Sequence, residues 1–303
     1  MSLIAPVVLI IYKRLETTIR VFEKIKEVAP NRLYLIADGP KQETDKDHCL
    51  KVRTYVEENI NWPCDLVKIY SEVNLGCAKR VQSGLDKVFE NEEMAIILED
   101  DTLPELSFFR FCDELLRYYK NNSRVAHISG CNIHPELLNI NTSYCFSSVV
   151  NIWGWATWKR NWINYDINMS SWEYTDKDSF ISKWTSPKAD SNGLRKMFDL
   201  HCNNKDPWTW DYQWLYACWK HNGLSIVPKY NLISNIGIGP MATNTKTKKT
   251  IKAYPGKTFK IKFPLVHPKL TRNLSFDDKY YKKRKISWIR KFINNIKSIL
   301  ILK

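Results

Sequence analysis

Short apolar runs alternate with helix-period stretches over the first 120 positions of the chain. Val7-Val8-Leu9-Ile10-Ile11 is a β-branched run that reads as a strand, and Leu15, Ile19, Phe22, Ile25 and Val28 then recur at helical spacing. Leu33-Tyr34-Leu35-Ile36-Ala37 gives a second strand that ends in the polar turn Asp38-Gly39-Pro40. Residues 45–60 read as a helix, Leu66-Val67-Lys68-Ile69-Tyr70 as a third strand, and Ala78, Val81, Leu85 and Val88 as the apolar face of the next helix. A fourth run, Ala95-Ile96-Ile97-Leu98, leads into Glu99-Asp100-Asp101, after which Thr102-x-x-Glu105 matches a capping box for a helix carrying Phe108, Cys112, Leu115 and Tyr119. Strands that are apolar without alternation are buried on both faces. Interleaved with helices, they predict a doubly wound, mainly parallel sheet.

From Arg124 the character changes. Val125-Ala126-His127-Ile128-Ser129-Gly130 predicts one more short strand, after which aromatics dominate: ten of the twelve tryptophans lie between Trp153 and Trp219, most densely in Trp153-Gly154-Trp155-Ala156-Thr157-Trp158. Large aromatics are usually core, yet their faces also stack on sugar rings, so most are expected inside and one or two at a site. Trp208-Thr209-Trp210-Asp211-Tyr212-Gln213-Trp214 opens a helix that continues through Leu215, Cys218 and Trp219. An acid among four aromatics is costly to ionise without partners, the setting of a general base, although Asp211 also suits a helix N-cap. After Asn235-Ile236-Gly237-Ile238-Gly239 comes a Thr/Lys/Asn run read as a loop. Ile286, Ile289, Ile293, Ile296 and Leu300 then form one stripe of an amphipathic helix, while residues 280–303 carry eight Lys+Arg and no acid.

Composition narrows the function classes. The chain has 303 residues and is 44% hydrophobic, enough for a packed core. Its net charge of +14 is unevenly placed: residues 241–303 hold 18 Lys+Arg and 2 Asp+Glu, leaving 28 against 30 in residues 1–240. A near-neutral body without RNP, zinc-finger or helix-turn-helix spacing argues against nucleic-acid binding. Eight cysteines without CxxC spacing read as reduced thiols of a cytosolic protein. The first residues lack a basic leader pattern, so no signal peptide is expected, and no stretch has the length of a membrane-spanning helix.

The chemistry gathers at the strand ends. Three adjacent carboxylates repel one another unless a cation offsets them, and oxygen-only ligands suit Mg²⁺ or Mn²⁺, which often accompany a phosphate-bearing substrate. An isolated triplet of this kind is ordinarily a solvated turn; the preceding buried strand argues otherwise. Lys79 and Arg80, after Asn74-Leu75-Gly76, occupy the first turn of a helix. The helix dipole disfavours cations there unless an anion is close, which hints at a diphosphate, with a solvated basic start as the alternative. Asp38 suits a base or ribose contact, or an ordinary turn.

Taken together, Pro6 to Arg14, Ala37-Asp38-Gly39, Asn74-Leu75-Gly76 with Lys79 and Arg80, Ile97-Leu98-Glu99-Asp100-Asp101, Trp153-Gly154-Trp155, Trp210-Asp211-Tyr212-Gln213 and Asn235-Ile236-Gly237 resemble the nucleotide-sugar-dependent GT-A glycosyltransferases over residues 4–245. The chain is similar to the bacterial family-2-like enzymes and, in its strand-EDD-helix unit, to N-acetylglucosaminyltransferase I. The resemblance implies an α/β, Rossmann-like GT-A domain at 1–245, with a nucleotide-sugar half at 1–122 and an acceptor half at 123–245, followed by a basic loop and amphipathic tail at 246–303. It implies donor binding by Tyr12, Arg14, Asp38, Asn74, Lys79, Arg80, Glu99 and Asp100, and Mn²⁺ or Mg²⁺ held by Asp101. It further implies Asp211 as the base of an inverting transfer, and acceptor contacts at Gly130, Trp153, Gly154, Trp155 and Trp210. In similar enzymes the loop after the Asn-Ile-Gly segment carries a metal-binding histidine. Here it reads Ala242-Thr243-Asn244-Thr245, so either Asn244 is a weaker ligand or Asp101, diphosphate and water hold the ion. The expected donor is UDP-linked, and the expected acceptor is an oligosaccharide or lipid-linked glycan of surface polysaccharide synthesis. The tail would meet that acceptor on the anionic inner face of a membrane. A two-carboxylate glycoside hydrolase, or a non-catalytic carbohydrate- or membrane-binding module, are the competing expectations.

Overall fold

The four apolar runs pair in parallel, in the order β3-β2-β1-β4, where β1 is Val7–Ile11, β2 Arg32–Ala37, β3 Asp65–Tyr70 and β4 Met94–Glu99. Leu9 stands opposite both Leu35 and Leu98, so the register brings every carboxyl end to one side of the sheet. The crossovers are helices α1 (Leu15–Val28), α2 (Lys46–Glu58) and α3 (Cys77–Asn91), each turning an apolar stripe inward: Val21, Phe22 and Ile25 of α1, Val52 and Val56 of α2, and Val81, Leu85 and Val88 of α3 are all buried. The chain is seen here in a computed structural model that describes residues 3–185, 191–237 and 256–283.

Beyond β4 the sheet continues without a break. After β5 (Thr102–Pro104) and α4 (Ser107–Tyr118) come β6 (Val125–Ser129), β7 (Tyr144–Ser147), β8 (Trp155–Trp158), α5 (Lys159–Trp162), α6 (Lys177–Trp184), α7 (Ser191–His201), α8 (Asp211–Lys220), β9 (Leu224–Pro228) and β10 (Ile233–Asn235). The full order is β3-β2-β1-β4-β8-β6-β9-β7, with β5 and β10 forming a separate antiparallel ribbon. Four of the seven pairings in the large sheet are parallel, as the α/β alternation predicts. The densest tryptophan segment is itself a strand: β8 is buried throughout and runs antiparallel between β4 and β6. A strand covered on both faces shows no alternation, so its aromatics give no periodic signal. The expected capping box does not form. The Thr102 hydroxyl bonds back to Glu99, and the Glu105 carboxylate accepts from Ser107 N at 2.8 Å, so α4 begins two residues after Glu105.

Residues 256–283, which charge alone groups with the tail, pack along the outer strand β7. Ser143 N donates to Val266 O at 2.9 Å and Asn273 N to Phe146 O at 2.7 Å. The Tyr144 hydroxyl meets His267 Nδ1 at 2.7 Å, and Tyr118 stacks on the same imidazole with centroids 4.1 Å apart. A further helix, α9 (274–283), is fixed by buried Asp277, which accepts from Ser148 N at 3.1 Å and Ser148 Oγ at 2.8 Å and pairs with Arg272. The strap occupies backbone groups that an open edge would otherwise present to another chain. Asn244 and the amphipathic stripe from Ile286 lie outside the described residues. Among the described residues no helix is long and apolar enough to cross a membrane.

Candidate active site

At the end of β4 the chain turns tightly, because the Thr102 hydroxyl accepts from Glu99 N at 2.9 Å and donates to Glu99 O at 3.0 Å. The three carboxylates have different partners. Asp100 is buried and held by Arg14, whose Nε donates to Oδ2 at 3.2 Å and whose Nη2 donates to Oδ1. Arg14 Nη1 lies 2.9 Å from Asp101 Oδ2. Burial pushes the Asp100 carboxyl up to about 6, with Arg14 pulling the other way. Glu99 is pushed up to about 8, by burial first and then by the charges of Asp101 and Asp100. The Asn235-Ile236-Gly237 segment closes on Asp101: Ile236 N donates to Asp101 O at 2.8 Å, and a Cβ on Gly237 would stand 2.1 Å from Asp101 Oδ2. Only glycine fits that approach.

Asp211 opens α8 but does not cap it. It is the first helical residue after Trp210, and its carboxylate accepts from the Thr209 hydroxyl. The N-cap alternative is thereby set aside. Asp211 also falls within electrostatic reach of Glu99, and both act on Cys77, the first residue of α3. The Cys77 side chain is exposed, yet its thiol pKa is raised by its crowded surroundings and by Glu99, Asp211, Asp101 and Asp100. Thus the end of β4, the start of α8 and the start of α3 lie within electrostatic reach of one another at the carboxyl side of the sheet, where open α/β sheets take ligands.

The remaining donor residues are arranged differently from the sequence expectation. Asp38 is buried, and its carboxylate accepts four bonds from the protein: Gly39 N at 3.0 Å, Leu75 N at 2.9 Å, Gly76 N at 3.0 Å and Asn74 Nδ2 at 3.0 Å. All its acceptor positions are thus engaged. Asn74 Nδ2 also donates to Gly39 O at 2.8 Å, so Asp38 and Asn74 clamp the loop before α3 to the end of β2. Arg80 is buried under this clamp, its charge acted on by Asp38 and its Nε without a partner among the described residues, whereas Lys79 is exposed. The Tyr12 hydroxyl accepts from Lys41 N and donates to Asp45 Oδ2, both at 3.1 Å, and Lys13 reaches Asp45 Oδ1 at 2.7 Å, pinning the loop after β2. Between the two pinned loops lies a groove of about 520 Å³ lined by residues including Lys41, Lys46, Val73 and Asn74.

The aromatic expectation is corrected in detail. Trp155 and Trp210 are buried and stack on each other at 5.3 Å, with Trp155 also 5.4 Å from His127, so neither offers a free ring face to an acceptor. Trp214 Nε1 donates to His127 Nδ1 at 3.1 Å, and burial holds that imidazole neutral, its pKa lowered to about 3. Gly130 and Gly154 both pack on Ile233 of the ribbon and are not open to a ligand. Trp153 is half-buried. The tryptophan of this stretch that stays at the surface is Trp208, 49% exposed and 4.4 Å from the His201 ring just before Asp211. No periodic signal separates it from Trp210 two positions on. His201 is fully buried with neither ring nitrogen hydrogen-bonded, and Gln213 Oε1 is likewise unpartnered among the described residues.

Among the described residues no three His, Cys, Asp or Glu side chains form a ready metal cage. The donor set instead suits a hard cation that binds through one or two carboxylates together with phosphate oxygens, Asp101 being more exposed than Asp100.

No protein-family model matches the chain, and no curated protein matches its sequence. Solved structures similar to it include the mannosyltransferase PcManGT from Pyrobaculum calidifontis in complex with GDP-Man and Mn²⁺, at 11% identity over 71% of this chain and 69% of that one, with a TM-score of 0.40. HddC from Yersinia pseudotuberculosis matches at 11% identity over 54% and 80%, with a TM-score of 0.34. The glycosyltransferase GlyE of Streptococcus pneumoniae TIGR4 matches at 10% identity over 73% and 44%, with a TM-score of 0.31. Likeness at this level leaves function to be argued from the site.

Proposed function

We propose that this chain is an inverting glycosyltransferase that moves a sugar from a nucleoside-diphosphate sugar to a glycan hydroxyl. The observation that carries the proposal is the cluster of acids at the end of β4, Asp100 and Asp101 bridged by Arg14, within electrostatic reach of Asp211 at the start of α8 and of the start of α3. The diphosphate lies between the α3 N-terminus, whose free N–H groups favour anions, and Asp101. Mg²⁺ or Mn²⁺ held there by Asp101, with Asn244 a further candidate ligand, would offset charge on the departing nucleoside diphosphate. Glu99 and Asp100 face the ribose and donor sugar. Asp211, one oxygen held by Thr209, accepts the proton of the attacking acceptor hydroxyl from the opposite face of the anomeric carbon. With the Asp38 carboxylate engaged, a uracil base sits in the groove between the pinned loops and meets backbone groups there. The acceptor is an oligosaccharide or lipid-linked glycan, brought to the enzyme by the basic tail on an anionic membrane.

A panel of nucleotide sugars tested for thermal protection, with Mn²⁺ and with chelator, checks this. A true donor at one hundred times its Kd stabilises the native state by about 2.7 kcal/mol. Metal-dependent protection by one donor, and an inverted linkage in the product by NMR, are expected. Protection by none, or a retained configuration, would sink the proposal.

A further inference from the structure

Among the described residues, Arg14 is the one cation paired with the strand-end acids, and it meets them unequally. Its Nε and Nη2 edge holds both oxygens of Asp100, whose side chain is 5% exposed. Its remaining arm, Nη1, reaches Asp101 Oδ2 alone, at a side chain 16% exposed. The first contact is a sheltered two-point fork and the second a single N–H to the more exposed carboxylate, so the second can open while the first holds. Asp101 Oδ2 also lies so close to Gly237 that a Cβ there would collide with it. A cation seeking that oxygen therefore meets the guanidinium first.

Building on the metal-diphosphate role given above, we propose that Arg14 is a resident counter-cation that competes with the divalent ion for Asp101. The ion then binds well only when it arrives with the nucleoside diphosphate, whose phosphate oxygens take up the freed Nη1. Arg14 thereby makes metal and nucleotide binding interdependent, keeping the empty site from collecting stray divalent ions.

The test is Mn²⁺ binding to the full chain, followed by electron paramagnetic resonance with and without UDP. Without nucleotide, Arg14→Gln binds Mn²⁺ tighter than the wild type by on the order of tenfold, because a repelling charge has gone and Asp101 is free. UDP strengthens Mn²⁺ binding much more in the wild type than in the variant. Arg14→Lys, which keeps a charge for Asp100 but has no second arm for Asp101, gives an intermediate gain and serves if the glutamine variant fails to fold. Mn²⁺ affinity unchanged or weakened in the folded variants, or a gain that survives in Arg14→Gln combined with Asp101→Asn, would overturn the proposal, as would no Mn²⁺ binding by any of them. Sugar transfer does not enter this readout. A chain that binds Mn²⁺ in the expected order yet transfers no sugar refutes the proposed function and leaves the role of Arg14 standing.

Discussion

Replacing Asp38 by asparagine separates a clamp from a ligand contact. The carboxylate now accepts from two donors on each oxygen: Gly39 N and Leu75 N on Oδ1, Asn74 Nδ2 and Gly76 N on Oδ2. The amide keeps one accepting oxygen and turns an NH₂ group toward the other two donors, so two bonds are lost and donor faces donor. Hydrogen bonds to a charged group are worth about 1.5–3 kcal/mol each. Against this, burial raises the Asp38 pKa, so a neutral side chain escapes part of a desolvation cost. The net loss should be about 2–4 kcal/mol, seen in urea unfolding as a lower midpoint with an unchanged slope. UDP affinity should fall as well, because the loop carrying Leu75 and Gly76 sets the start of α3. Unchanged stability with weakened UDP binding would refute this account and make Asp38 a direct nucleotide contact.

Asp211→Asn should lower turnover by about 10²–10⁴-fold while donor affinity measured by calorimetry stays near the wild-type value, since base catalysis acts on the acceptor; an equal loss in donor binding would contradict that role. Cys77 is the exposed thiol of the eight but its pKa is raised, so maleimide should label it slowly at neutral pH and faster as pH rises, and UDP with Mn²⁺ should slow that labelling further. Labelling indifferent to nucleotide would place the donor elsewhere. In metal-free buffer Glu99 keeps its proton in the folded chain up to about 8, whereas it is released near 4.5 when unfolded, so ionising it costs stability as pH rises through that interval. His127 acts oppositely: folded near 3 and unfolded near 6.5, it costs stability as pH falls through that range. Unfolding measured between pH 6.5 and 8 should therefore show a decline, at most about 1.4 kcal/mol per pH unit, that Glu99→Gln flattens. An identical decline in the variant would assign it to other groups.

The parallel half of the fold is legible in the sequence because its strands are continuous apolar runs separated by helices with a clear apolar face. β8 is not, since a central strand of tryptophans and small residues looks the same whether it packs inside or lines a site. The acids at the end of β4 stand out for a related reason: charge directly after a buried strand has few explanations. What each acid touches could not be read, because the partners are distant along the chain. Asp38 closes on residues 74–76, and Asp100 pairs with Arg14 from 86 positions away. Trp208 and Trp210 differ by two positions and by their whole environment, one at the surface and one in the core. Such distinctions are set by tertiary packing, which brings Trp155 against Trp210 and leaves Trp208 at the surface.

The strap along β7 has a consequence in time. Ser143 is bonded to Val266, 123 residues further along. The sheet can seat β7 at its edge only once β9, ending at Pro228, has been made, and Val266 follows 38 residues later, roughly 2–8 s at synthesis rates of about 5–20 residues per second. For that interval the growing chain carries a nearly finished sheet with a bare outer strand, the period in which a chaperone, or a wrong partner, has most opportunity to bind it.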